Sequence, residues 1–249
     1  MKKEHPSIRL DILDILRGLA VVLMILFHLN YSLVHIFDSE ILNFSESFWY
    51  VIGKISALSF ILLAGFSYFL AEKKYGKSIK QKYLRYGCIL GFLALCISLF
   101  TYLFFPEQFI AFGILHFFSL SFFLLPYITF LGYWLIILGG VILVYGIFLI
   151  PFIISPYFFA FGFQTREFFS ADYYPLFPYF WVLVLWYVIV RYLSENNFLE
   201  YLILWREAYF LERFLTYIGR RSLLLYLIHQ PIIITLLFIL KYFGIVFSN

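Results

Sequence analysis

Seven apolar stretches in this chain are each long enough to cross a bilayer, at roughly 13–36, 48–71, 84–105, 108–127, 133–152, 178–193 and 222–243. In hydrocarbon the backbone must satisfy its own hydrogen bonds, so such spans form helices, and Gly or Pro breaks are tolerated where neighbours supply the lost partners. With 64% hydrophobic and 13% charged residues and a mean hydropathy of +0.94, 249 residues hold too little polar surface to coat a soluble globule. The expected fold class is an all-α integral membrane protein, a bundle of about seven transmembrane helices. No repeat, linker or low-complexity break divides the chain, so 1–249 reads as one transmembrane domain.

Segments 1–17, 72–86 and 191–221 hold fifteen of the eighteen Lys and Arg, and the positive-inside rule makes them cytoplasmic. An odd number of spans then leaves the N-terminus cytoplasmic and the C-terminus outside. The net charge of +4 reflects this loop bias rather than a polyanionic partner, and the aromatics, 24% of residues spread over every span, indicate no nucleic-acid surface. Cys88 and Cys96 lie about 12 Å apart along one helix, too far for a disulfide. The N-terminus has a signal-like charge-then-apolar order without a cleavage site and is expected to remain as the first span. Outside lies the long loop Ser155–Pro178, rich in aromatics and prolines, read either as a lid or acceptor platform or as a connection with interfacial anchors. Inside, Arg191–Arg221 mixes five arginines with four glutamates around Leu202, Ile203, Leu204 and Trp205, the pattern of an amphipathic interfacial helix.

The first span, RLDILDILRGLAVVLMILFHLNY, has a charged foot of Asp11, Asp14 and Arg17 and then runs apolar to His28. Arg17 and His28 fall about 20° apart around a helix, with His28 roughly 16 Å higher. Asp14 and Arg17, three residues apart, are expected to pair. His116 in the fourth span and His229 in the seventh each stand about 13 Å from a membrane edge, so all three histidines are expected in the middle third. Ionisable groups at that depth usually face a shared cavity and mark function. Ser222 lies two turns before His229 on the same face. Pro231 removes the backbone donor for the Leu227 carbonyl, which Gln230 could cap. Lys54 is read as snorkelling, Gly65 and Gly113 as packing, and His5 and His35 as solvated.

No metal motif, phosphate-cradling glycine loop or serine elbow is present. What remains is imidazole chemistry, suited to a general base for an amine or hydroxyl or to an acyl-accepting nucleophile. A basic cytoplasmic foot would suit a phosphorylated donor such as a nucleotide thioester.

The order LDILRGLAVVLMILFH, SFILLAGFS, FGILHFFSLS, SADYYPLFPYF and IGRRSLLLYLIHQP resembles the heparan-alpha-glucosaminide N-acetyltransferase catalytic-domain family in its compact bacterial branch. The resemblance runs from Arg9 to about Ile234 and implies a multi-pass acetyltransferase of a bacterial cell membrane. It implies cytoplasmic acetyl-CoA as donor, an amino sugar or other envelope saccharide as acceptor, and no metal. Asp14, Arg17 and Gly18 match the D-x-x-R-G foot, and Ser222, Tyr226 and His229 match the closing motif. The candidate catalytic residues are His28, His116 and His229, and the candidate donor-binding residues are Asp14, Arg17, Arg220 and Ser222. In the animal lysosomal branch the position of His28 is typically asparagine, and the histidine usually assigned to catalysis falls in the rim Ile36–Ile41, where this chain offers Ser39 and, approximately, His35, so His28 as base rests on its depth. Two other classes compete: a transporter or flippase using midplane histidines as a proton relay, and a non-catalytic scaffold. Oligomeric state is left open, a homo-oligomer included.

This topology is tested by a cysteine at Gln164 on a background lacking Cys88 and Cys96. It should react with an impermeant thiol reagent on intact cells; labelling only after lysis would overturn the seven-span arrangement.

Overall fold

The computed structural model describes residues 11–37, 39, 44–149, 157–165, 167–197 and 210–244. Helices occupy all seven expected stretches: α1 (Asp11–Phe37), α2 (Glu46–Tyr75), α3 (Ile79–Phe104), α4 (Ile114–Ile128), α5 (Trp134–Leu149), α6 (Leu176–Glu195) and, last in the chain, α8 (Ser222–Tyr242). A further helix, α7 (Phe210–Arg220), precedes α8. Among the described residues five segments are long and apolar enough to cross a membrane, one of them running Glu46–Phe104 through a 3-10 turn at Gly76–Ser78. A shorter apolar helix covers Trp134–Val144. The protein is an all-α membrane protein, with no strand among the described residues beyond an isolated bridge.

One boundary differs from the sequence pattern. The fourth span, expected from 108, begins as α4 only at Ile114. Pro106–Gln108 forms a 3-10 turn, and the stretch after it is extended, with the Ala171 N–H donating to the Phe109 carbonyl and the Tyr174 N–H to the Phe112 carbonyl. The interfacial helix expected around Leu202–Trp205 lies outside the described residues. The described helix α7, later in the same segment, exposes Phe210, Leu211, Phe214 and Tyr217 along one apolar side, as an interfacial helix would.

The chain forms two compact units. One comprises Met1–Leu63 and Asn197–Asn249, the other Ala64–Asn196, so that α2 contributes to both.

In the first unit α1 packs against α7 and α8. Gly18 of α1 faces the Leu215 carbonyl, and Gly219 of α7 faces the Asp14 carbonyl, each so closely that an added Cβ would strike backbone. Only glycine lets two helix backbones approach in this way. The Ser56 hydroxyl of α2 donates to the Ala20 carbonyl of α1 at 2.9 Å. Farther along, Leu33, Phe37, Ile233 and Leu237 form a buried apolar cluster between α1 and α8, and Phe37 meets Phe238 at 4.9 Å between ring centroids. Low residue numbers in one helix meet low numbers in the other, so α1 and α8 run parallel.

In the second unit α3 lies along α4, where the Ser119 hydroxyl donates to the Gly87 carbonyl at 2.8 Å. The backbone of α6 approaches α2 at Gly65, which faces the Leu183 carbonyl. Tyr68, Tyr83 and Tyr187 pack edge to face in the interior, with centroid separations of 4.6 and 5.6 Å.

Gly219→Ala should therefore lower stability by about 1–3 kcal/mol, the usual range for overpacking, in thermal unfolding of the detergent-solubilised protein. Gly140→Ala, where an added Cβ meets nothing within 4 Å, should leave it unchanged. Equal unfolding of Gly219→Ala and the parent protein would refute the backbone contact of α7 with α1.

Candidate active site

Asp14 is 2% exposed near the start of α1. An isolated carboxylate buried to that degree would be strongly destabilising, and it is retained because two guanidiniums meet it. Arg17 Nη1 donates to Asp14 Oδ1 at 2.6 Å, the pairing its i,i+3 spacing led us to expect. Arg220 Nε, at the end of α7, donates to Asp14 Oδ2 at 3.3 Å, while its Nη2 reaches the exposed Asp11 at 3.0 Å. Three of the four expected donor-binding residues, Asp14, Arg17 and Arg220, are thus brought together, with their charges directed at one another. Ser222 opens α8 two positions later and is partly buried.

Above this foot α1 and α8 bring together two of the three candidate histidines. The rings of His28 and His229 lie 4.9 Å apart between centroids. His229 is 8% exposed, and its Nδ1 lies 2.7 Å from the Tyr226 carbonyl oxygen. A carbonyl can only accept, so Nδ1 carries the proton and Nε2 keeps the lone pair. That Nε2 is buried and has no hydrogen-bond partner among the described residues, and neither do Asn30 Oδ1 and Gln230 Oε1. Gln230 does not cap the carbonyl freed by Pro231; its Nε2 donates to the fully buried Ser32 hydroxyl on α1 at 3.1 Å. The apolar cluster of Leu33, Phe37, Ile233 and Leu237 closes α1 against α8 beyond the pair. Ser39 is buried at the end of this stretch, its N–H donating to the Leu33 carbonyl.

His116 belongs to the unit Ala64–Asn196 and has a different environment. The Gly113 N–H donates to His116 Nδ1 at 3.2 Å, so the proton of the neutral ring sits on Nε2. Nε2 lies 3.3 Å from the Ser98 hydroxyl, which itself donates to the Ile110 carbonyl at 2.6 Å. Both ring nitrogens are engaged, in an arrangement that closes the start of α4.

The loop Ser155–Pro178, as far as it is described, docks on the same helix start. Asp172 accepts from the Ile114 N–H at 2.9 Å, and the Ser170 hydroxyl bridges the Ala111 N–H and the Asp172 carbonyl. A carboxylate there satisfies an otherwise unpaired helix donor and complements the helix dipole. Tyr173 donates to the Phe159 carbonyl at 2.7 Å, and burial pushes its phenol up to about 12, so it remains a donor throughout the physiological range.

The family model described as heparan-alpha-glucosaminide N-acetyltransferase, catalytic, matches residues 9–231. The chain belongs to that family. No curated protein and no solved structure matches it. The family is one of acetyltransferases, which places this member among membrane-bound transferases.

In this heparan-alpha-glucosaminide N-acetyltransferase family member the motifs meet in pairs. LDILRG meets IGRRS through Asp14, Arg220 and the two packing glycines, while FGILH meets SADYY through Asp172 and the bridge between Phe112 and Tyr173. Sequence reasoning missed Ser32 and Ser98 as partners of Gln230 and His116, and Asp172 as the acceptor at the start of α4. Ser32 carried a signal, standing one turn after His28 on the same face. Asp172 carried none, because its partner lies 58 residues away.

Asp14→Asn keeps the shape but leaves two guanidiniums without their shared charge. It should destabilise the detergent-solubilised protein by about 1–3 kcal/mol, and Arg220→Gln by less, since the Arg220 side chain is 44% exposed. Exchanging the charges of Asp14 and Arg17 should not restore stability, because a guanidinium at 14 would face Arg220. An Asp14→Asn protein as stable as its parent would refute the role of this cluster.

Proposed function

We propose that this protein transfers an acetyl group from cytoplasmic acetyl-CoA to an amino sugar or other envelope saccharide on the outer side of a bacterial cell membrane, as one acyltransferase-like domain spanning 1–249. The observation that carries the reading is His229. Its Nδ1 is anchored on the Tyr226 carbonyl, and its buried Nε2 is an acceptor with no partner among the described residues, beside His28 and above the ion-paired foot. This is how a general base is prepared: one nitrogen fixes ring orientation and tautomer, the other takes the proton. The unpartnered atoms Asn30 Oδ1 and Gln230 Oε1 fit a substrate rich in amide and hydroxyl donors, because a buried acceptor gains most when a ligand satisfies it.

In the proposed reaction the acceptor nitrogen or oxygen attacks the thioester carbonyl carbon. A C–N or C–O bond forms, the C–S bond breaks, and the acceptor proton passes to His229 Nε2. The coenzyme thiolate leaves and takes a proton in turn, with His28 the neighbouring group able to share it. His28, the base expected from its depth, is in this reading paired with His229, the oriented member of the two. His116, engaged at both nitrogens, holds the start of α4.

Purified protein in detergent, supplied with radiolabelled acetyl-CoA and a panel of amino sugars, tests this directly. His229→Gln and His28→Gln should each lower turnover by roughly the 10²–10⁴ of a lost general base while acetyl-CoA binding persists. Near-normal turnover of His229→Gln would remove it as the base, and absence of acetyl transfer by the parent protein to every sugar would sink the reading.

A further inference from the structure

At the ends of α2, α3, α4 and α6, within the unit Ala64–Asn196, lies a cleft of about 700 Å³. Its lining includes four cations, Lys73, Lys77, Lys80 and Arg191, and two carboxylates, Glu72 and Glu195. These residues belong to segments that the positive-inside rule makes cytoplasmic. Gly76 enables the gathering: its φ of +48° sits in the region open to glycine, and the tight turn there brings Lys73 of α2 and Lys80 of α3 to one opening.

A fringe of lysines at an inner membrane edge is ordinary, but here both carboxylates are already engaged. The Tyr187 hydroxyl donates to Glu72 Oε2 at 2.6 Å. Glu195 accepts from the Tyr133 hydroxyl and, at 3.1 Å, from Arg191 Nε. Among the described residues no carboxylate lies within ion-pairing distance of Lys73, Lys77 or Lys80. Lys73 donates to the Ser194 hydroxyl and stands 4.9 Å from the Phe69 ring centre, while Lys80 lies 4.5 Å over the Tyr127 ring. Neither a hydroxyl nor a ring face cancels an ammonium charge, so the cleft keeps a surplus of two positive charges. Its size falls within the roughly 300–1,000 Å³ of small-ligand sites, enough for a phosphate and part of the molecule attached to it. Phe130, 82% exposed, adds an aromatic face to the lining.

We propose that this cleft binds a phosphate group of an amphiphilic or nucleotide ligand, with Lys73, Lys77 and Lys80 supplying charge-assisted hydrogen bonds to its oxygens. Two sources carry that chemistry. One is an anionic phospholipid headgroup; the other is the nucleotide end of acetyl-CoA, and that source alone rests on the acetyltransferase reading above.

The test compares the full-length protein with its Lys77→Gln/Lys80→Gln and Lys77→Arg/Lys80→Arg variants in zwitterionic nanodiscs. The probes are coenzyme A, 3′-dephospho-coenzyme A, and phosphatidylglycerol added to the disc and followed by native mass spectrometry. Both lysines are exposed, so the variants should unfold like the parent. The Gln pair should weaken binding of one probe class by roughly tenfold, lose its salt dependence, and be rescued by the Arg pair. A loss confined to the coenzymes identifies the nucleotide source, and a loss confined to phosphatidylglycerol identifies the lipid. His229→Gln, run in parallel, should bind all probes as the parent does. A parent protein that binds through the lysines yet transfers no acetyl group would defeat the acetyltransferase reading and leave the cleft standing. Unchanged binding of every probe by the Gln pair, or no binding by the parent, would overturn the proposal.

Discussion

A single buried carboxylate ties together parts of the chain that are 206 residues apart. Removing Asp14 from water would be unfavourable by several kcal/mol without partners, so the fold that buries it must also deliver Arg17 and Arg220. It can do so only because Gly18 and Gly219 stand where α1 and α7 touch, and a side chain at either would push the guanidinium away. Charges and glycines therefore act as one device. The device also sets the register of α8, which begins two residues after Arg220, and that register places His229 beside His28.

Two histidines of the same kind receive different chemistry from their backbones. At the start of α4 an unpaired helix N–H donates into His116 Nδ1, and the ring becomes part of the cap. In α8 the Tyr226 carbonyl draws the proton onto His229 Nδ1, and the far nitrogen becomes a buried acceptor. Depth in the membrane does not distinguish these cases; the neighbouring backbone group does. The fold supports the second case by closing α1 against α8 on one side with aliphatic and aromatic packing and on the other with the charged foot.

Much of the architecture was legible residue by residue. The seven apolar stretches became helices, and the i,i+3 spacing of Asp14 and Arg17 gave a real ion pair, because both depend on neighbours within a turn or on the composition of a local window. Boundaries were less legible where distant groups compete. Residues 109–113 are apolar enough to extend α4, yet their backbone pairs with Ala171–Tyr174, and Asp172 starts the helix at Ile114. Gln230 could have capped the carbonyl freed by Pro231, but its amide donates across to Ser32 on α1.

The sequence by itself determined that this is an all-α membrane protein with its polar groups confined to a few positions, since hydrocarbon leaves the backbone no other way to satisfy itself over such lengths. It also determined which residues could carry chemistry, because few ionisable groups lie within the spans. Only the tertiary structure decided which of them meet: that Arg220 completes Asp14, that His229 faces His28, and that Lys73, Lys77 and Lys80 share a cleft with engaged carboxylates. The physical reason is that a helix period reports on residues three and four apart, whereas a hydrogen bond or ion pair across the fold depends on how closely two backbones can approach, and that is settled by packing.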